Sequence, residues 1–140
     1  MITNPAVSII GNATRDPELR YTQSGVAVAS FGVAVNQRKK NHSGEWEDAP
    51  AQFFDVTVWN QLAENVSQSI TKGTRVIVVG RLEQQSWETQ DSDKRSRVQV
   101  VADAVGPDLR WANAVVERTE RTGAPQAVTP ARPDYTEEDF

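Results

Sequence analysis

Only one stretch of this chain carries a helical period, and that fact limits the fold more than any other. Leu62, Val66 and Ile70 stand at i, i+4 and i+8, on one face of a helix. Asn60 is placed to cap it, because its side chain can accept from the first free amides. Gly73 offers the left-handed residue that closes a helix, with Lys72 at the negative end of the dipole. Everywhere else the apolar residues alternate. Residues 5–12 and 26–36 read as strands, the second with Phe31, Val33 and Val35 on one face. Residues 53–60, FFDVTVWN, read as a third. A fourth begins near Arg75 and sets Val76, Val78, Gly80 and Leu82 against Ile77, Val79, Arg81 and Glu83. In a fifth, Val98, Val100, Ala102 and Ala104 share a face. The polar segments 37–51 and 89–96 read as loops.

Three strands, one helix and two strands are the order of an OB-fold barrel, in which a short helix lies between strands three and four. A βαβ architecture would need a helix after nearly every strand. Gly11, Gly32 and Gly80 lie inside strands, where a small closed barrel bends sharply. After Gly106-Pro107, LRWANAVVE reads as an additional C-terminal strand, with Leu109, Trp111 and Val115 on one side, pairing with an edge or a neighbouring subunit. The expected fold is all-β, a five-stranded barrel with that extra strand and a disordered tail. Residues 1–116 form the domain, 117–133 a polar, proline-bearing linker, and 134–140 an acidic tip.

Charge points to local rather than global attraction. The net charge is −4, but four of the 19 acids fall in the last seven residues, so the first 133 carry 15 of each sign. A neutral body binds a polyanion only through local basic clusters. The chain has no cysteine, which excludes thiolate metal sites and disulfides and fits a reducing compartment. Its N-terminus lacks the basic start and apolar run of a signal peptide, and no run is long enough to span a membrane. A cytoplasmic protein is expected.

The third strand raises the functional question. With Phe54, Val56 and Val58 inward, Phe53, Asp55, Thr57 and Trp59 face out, and a face that merely meets water has little use for Phe and Trp. Phe53 and Trp59 are about 20 Å apart at ~3.3 Å per residue, room for several stacked bases. Trp87 ends strand four in parity with Arg81, Glu83 and Gln85, and Trp46 lies in the long loop. Basic neighbours surround them: Arg38, Lys39 and Lys40 in one loop, Lys94, Arg95 and Arg97 by the other, and Arg75 and Arg81 on strand four. Aromatics for bases and cations for phosphates are what a single-stranded nucleic-acid groove requires. Taken singly, each Trp could instead be packing and each basic run a solvated loop. Ile77 and Val79, outward on a strand whose other face fills the barrel, call for a cover: a second subunit, or else the helix or the Leu109 strand.

GNATRDPELRYTQSG, WNQLAENV, KGTRVIVVGRLEQQSWET and DKRSRVQVVADAVGP closely resemble the bacterial single-stranded DNA-binding proteins, nearly continuously over residues 1 to about 112. The resemblance implies a homotetramer that wraps single-stranded DNA and hands it to replication, recombination and repair enzymes. It implies stacking roles for Phe53, Trp59 and Trp87. A further family tryptophan near Arg38–Lys40 has no counterpart here, and Trp46 stands nearby instead. LRWANAVV looks like the extra strand with which one branch of the family clamps neighbouring subunits. The family's acidic tip, which binds partner proteins, matches Glu137, Glu138, Asp139 and Phe140, with Asp139 where proline is usual. That variant tip and the short linker lean toward a specialised paralogue.

An enzyme is not expected, and neither is a cofactor or metal. His42 is the only histidine and sits in a polar segment, Asp16 and Glu18 form no acid pair, and no phosphate loop or metal-ligand spacing occurs. Two alternatives stay open: a protein-interaction module of a replication-restart assembly, and an oligosaccharide-binding domain.

Overall fold

Phe31, Val33, Val56, Val58, Val76, Val78 and Val100 are fully buried, and in each strand they occupy alternate positions. Side chains on a strand point to opposite faces in turn, so this pattern puts one face of every strand on a common core. A computed structural model describes residues 4–119. Its elements are β1 (Ala6–Ala13), β2 (Glu18–Tyr21), β3 (Ala27–Lys40), β4 (Trp46–Trp59), α1 (Asn60–Ser69), β5 (Arg75–Glu88) and β6 (Lys94–Pro107).

The sheet runs β1-β5-β6-β4-β3-β2, and a further pairing of β1 with β3 closes five of the six strands into a barrel. That closure is short, Asn12 with Ala34 and Ala13 with Val33. It needs Gly11, because a Cβ there would run into the Ala34 carbonyl. The expected order of three barrel strands, a helix and two strands therefore holds. Ala63, Val66 and Ile70 of the helical stretch join the core, with Leu62 partly buried against it.

Several local expectations change. The strand beyond the five of the barrel is β2, which pairs with β3 from a segment read as turns. Residues 108–119, where the additional C-terminal strand was expected, form no ladder within the described chain. Asn60 makes no side-chain cap; it takes φ 63° as the corner between β4 and α1, and Trp59 holds the cap position. Gly73 is left-handed, at φ 90°, but it lies in a turn beyond Ile70, the last capping residue. There Gly73 N–H donates to the Ala13 carbonyl and Lys72 N–H to Asp16 Oδ1, each at 2.8 Å. Asp16 thus ties the turn to the end of β1.

Both polar loops are hairpin arms. β3 and β4 stay paired out to Lys40–Trp46, and β5 and β6 out to Glu88–Lys94, well past the last buried residues. Along β6 the expected shared face of Val98, Val100, Ala102 and Ala104 breaks. Val79 pairs with Ala104 but Gly80 with Ala102, so Asp103 bulges out. The bulge reverses parity: Ala104 turns outward and Val105 packs on the core, while Val98 lies out on the arm. Gly80 is required at the bulge, where a Cβ would meet the Val101 carbonyl.

Candidate nucleic-acid interface

The outer face of β4 is set by its register with β3. Trp59, Thr57, Asp55 and Phe53 stand opposite Val28, Ser30, Gly32 and Ala34. Directly opposite residues share a face, so two aromatic rings rise from a floor of small side chains. Phe53 is 73% and Trp59 41% exposed, too open for either to be a core plug.

Between β4 and β6 this face sinks into a groove of about 290 Å³. Trp59 stands on its wall, with Asp55 and Thr57 of β4, Glu83 and Gln85 of β5, and Arg97, Gln99 and Val101 of β6. Arg15 and Arg20, from the segment between β1 and β3, complete it with Val28 and Ser30. The floor is polar and ordered: Thr57 Oγ1 donates to Gln99 Oε1 at 2.8 Å. β4 and β6 run parallel here, Thr57 beside Val101, which brings together two side chains 42 residues apart in the sequence.

Of the residues expected from the sequence, Trp59 and Arg97 meet at this groove. Arg81 shares the face, being paired with the groove residue Val101. Phe53 lies on the same strand face, toward the β3–β4 arm. Trp87, Lys94 and Arg95 gather around a second, more open concavity of about 560 Å³ on the β5–β6 arm. Trp46 sits at the end of the other arm, with Lys40 Nζ 5.4 Å from its ring centre. On that arm Arg38 pairs with Asp48 at 3.6 Å, and Lys39 stands opposite Glu47. Arg75 is not brought to the groove. Its Nε bonds Asp108 Oδ2 at 2.8 Å and its guanidinium lies 4.7 Å from the Trp111 ring centre. That bond, and the Arg110 amide on Oδ1, hold the Asp108 carboxyl below its usual range. Glu137, Glu138, Asp139 and Phe140 lie outside the described residues.

Arg15, Arg20, Thr57 and Gln99 were not singled out as site residues from the sequence. Gln99 carried a legible signal, a polar residue outward between Val98 and Val100 in the parity of Arg97. Arg15 and Arg20 carried only their charge. Among the described residues no group of His, Asp or Glu gathers to hold a metal, and no helix is long and apolar enough to cross a membrane.

Comparison with known proteins follows this geometry. Residues 5–108 match the model of the single-strand binding protein family. A single-stranded DNA-binding protein of Mycolicibacterium smegmatis is 48% identical over 124 residues, 88% of this chain and 75% of that one. One of Corynebacterium glutamicum is 52% identical over 118 residues, 84% of this chain and 52% of the relative. The crystal structure of the small single-stranded DNA-binding protein from Streptomyces coelicolor superposes with a TM-score of 0.64 at 30% identity, covering 77% of this chain and 97% of that one.

Proposed function

The chain belongs to the single-strand binding protein family, and from that premise we propose that it binds single-stranded DNA through the β4 face and its groove, largely without sequence specificity. The observation that carries this is the pair Phe53 and Trp59, outward on one strand with polar floor between them. Stacking on such rings is worth ~1–3 kcal/mol per base and accepts every base. Trp87 extends the stacking path along the β5–β6 arm, and Trp46 adds a ring on the β3–β4 arm. Arg97, Lys94, Arg95 and Arg81 line the phosphate path, with Lys39, Lys40 and Arg38 contributing on the other arm. Arg75 contributes indirectly, by fixing residues 108–111.

The protein performs no chemistry of its own in this reading. It shields unpaired DNA in the cytoplasm during replication, recombination and repair, and recruits partner proteins through residues 134–140, a ring and carboxylates suited to a basic pocket. Residues 1–116 act as the binding and assembly domain and 117–133 as the tether. Assembly is as a homotetramer. Ile10, Ile77 and Val79 lie exposed on adjacent strands, with Ile10 directly opposite Ile77, and residues 6–11 of β1 have one edge that no other described residue pairs with. An aliphatic face beside an open strand edge suits a second copy of the chain. The 109–117 segment then clamps a neighbour.

Tryptophan fluorescence titration with oligo-dT, beside the matching duplex, tests the DNA reading. Quenching by the single strand should weaken with salt, with a slope of log affinity against log salt of roughly −0.7 per phosphate neutralised. No quenching by either DNA would turn attention to a protein partner, and a flat salt slope to a neutral ligand.

A further inference from the structure

Among the described residues Gln99 is the one buried polar side chain, 4% exposed, yet it lines the groove. Its Oε1 is taken by the Thr57 hydroxyl. Among the described residues its amide nitrogen has no protein partner, although Glu83 stands directly opposite on β5. No side-chain nitrogen or oxygen sealed from solvent in the described residues lacks a hydrogen bond. The nitrogen therefore opens onto the groove. A donor that faces water can exchange that contact for a ligand acceptor, while the Thr57 hydroxyl holds the other end of the amide.

The charges around it set which part of a nucleotide can arrive. Asp55 and Glu83 place carboxylates in the groove and repel phosphate, while Arg15, Arg20 and Arg97 attract it. A strand that satisfies both keeps its backbone along the arginines and turns a base inward. The base edge farthest from the sugar then meets the floor. In a pyrimidine that edge carries the substituent at position 4, a carbonyl acceptor in thymine and uracil and an amino donor in cytosine. We propose that Gln99, fixed by Thr57, is a base-reading residue that favours thymine or uracil over cytosine within otherwise non-specific binding. Thr57 is the positioning residue, because its hydroxyl keeps the acceptor end of the amide away from the base.

This inference rests on the DNA-binding reading, and the test separates the two. Full-length protein is titrated with oligo-dU and oligo-dC of equal length at one salt concentration. These strands have the same backbone and no methyl difference. One hydrogen bond gained predicts two- to ten-fold tighter binding of oligo-dU. Gln99→Glu keeps the shape and the Thr57 bond but presents an acceptor, so the ratio should fall to one or invert. Thr57→Val frees the amide to turn and should narrow the ratio. An oligomer of 2-pyrimidinone deoxynucleotides, lacking any group at position 4, should bind the unaltered protein with the advantage of oligo-dU lost. Equal affinity for oligo-dU and oligo-dC, or a ratio that survives Gln99→Glu in a protein of unchanged circular dichroism, overturns the assignment. Absence of binding to any of the strands overturns the DNA reading itself.

Discussion

Two outer faces of this barrel expose apolar side chains, and they do so differently. On β4, Phe53 and Trp59 alternate with Asp55 and Thr57, above a groove that holds Gln99, Glu83 and three arginines. On β1 and β5, Ile10, Ile77 and Val79 form an aliphatic patch. Flat rings separated by donors and acceptors suit a ligand with π-faces and polar edges. Branched aliphatics have no such complement and gain only by leaving water, which another protein surface accomplishes best. On the proposed reading, one barrel faces DNA and its own copies without the two surfaces competing.

The largest expected effect breaks the aliphatic side. Ile77→Asp with Val79→Asp would leave unpaired charges in any interface, at a cost of several kcal/mol. Light scattering should register a fall to a single-chain mass while the barrel stays folded. An unchanged oligomer would move the interface elsewhere. On the aromatic side, Trp59→Ala and Phe53→Ala should each weaken oligo-dT binding by ~1–3 kcal/mol. An affinity untouched by Trp59→Ala would return that ring to a packing role.

A smaller effect compares the two arms. Arg97 has no ion pair among the described residues, whereas Arg38 shares its charge with Asp48. Arg97→Ala should flatten the salt slope by roughly 0.7, one phosphate's worth, and Arg38→Ala by less. Equal losses would mean that the Arg38–Asp48 pair opens for DNA. The smallest effect concerns the strap beyond β6. Asp108 is held by Arg75 below its ordinary value near 3.8. A depressed carboxyl stabilises the fold above that ordinary value, and the contribution disappears as pH falls through the lower folded-state value. The Arg110 amide resonance should shift in that acid window and lose the transition in Asp108→Asn. A resonance insensitive to both would detach the strap from this ion pair.

Much of the barrel was legible because its core residues alternate cleanly. Val76 and Val78 on β5, and Val56 and Val58 on β4, point inward as their spacing requires, and the Phe53–Trp59 face follows by the same parity. The arms were illegible for the converse reason. Residues such as Arg38, Lys39, Glu47 and Asp48 meet water on both sides, so no apolar period distinguishes a paired strand from a loop. The Asp103 bulge was hidden as well, since one extra residue moves Ala104 out and Val105 in without altering composition. The reading of Asn60 as a cap failed where the chain turns a corner directly from strand to helix.

The sequence by itself determined which residues avoid water and with what period, and so the order of the five barrel strands, the single helix and the aromatic face. Those are local properties of neighbours in the chain. Tertiary structure alone decided that Thr57 meets Gln99, that Arg15 and Arg20 reach the same groove, and that Arg75 is committed to Asp108 and Trp111. These pairings depend on barrel closure and on the parallel register of β4 and β6, where contacts between distant segments are fixed by how strands bend and meet rather than by the spacing of residues along any one of them.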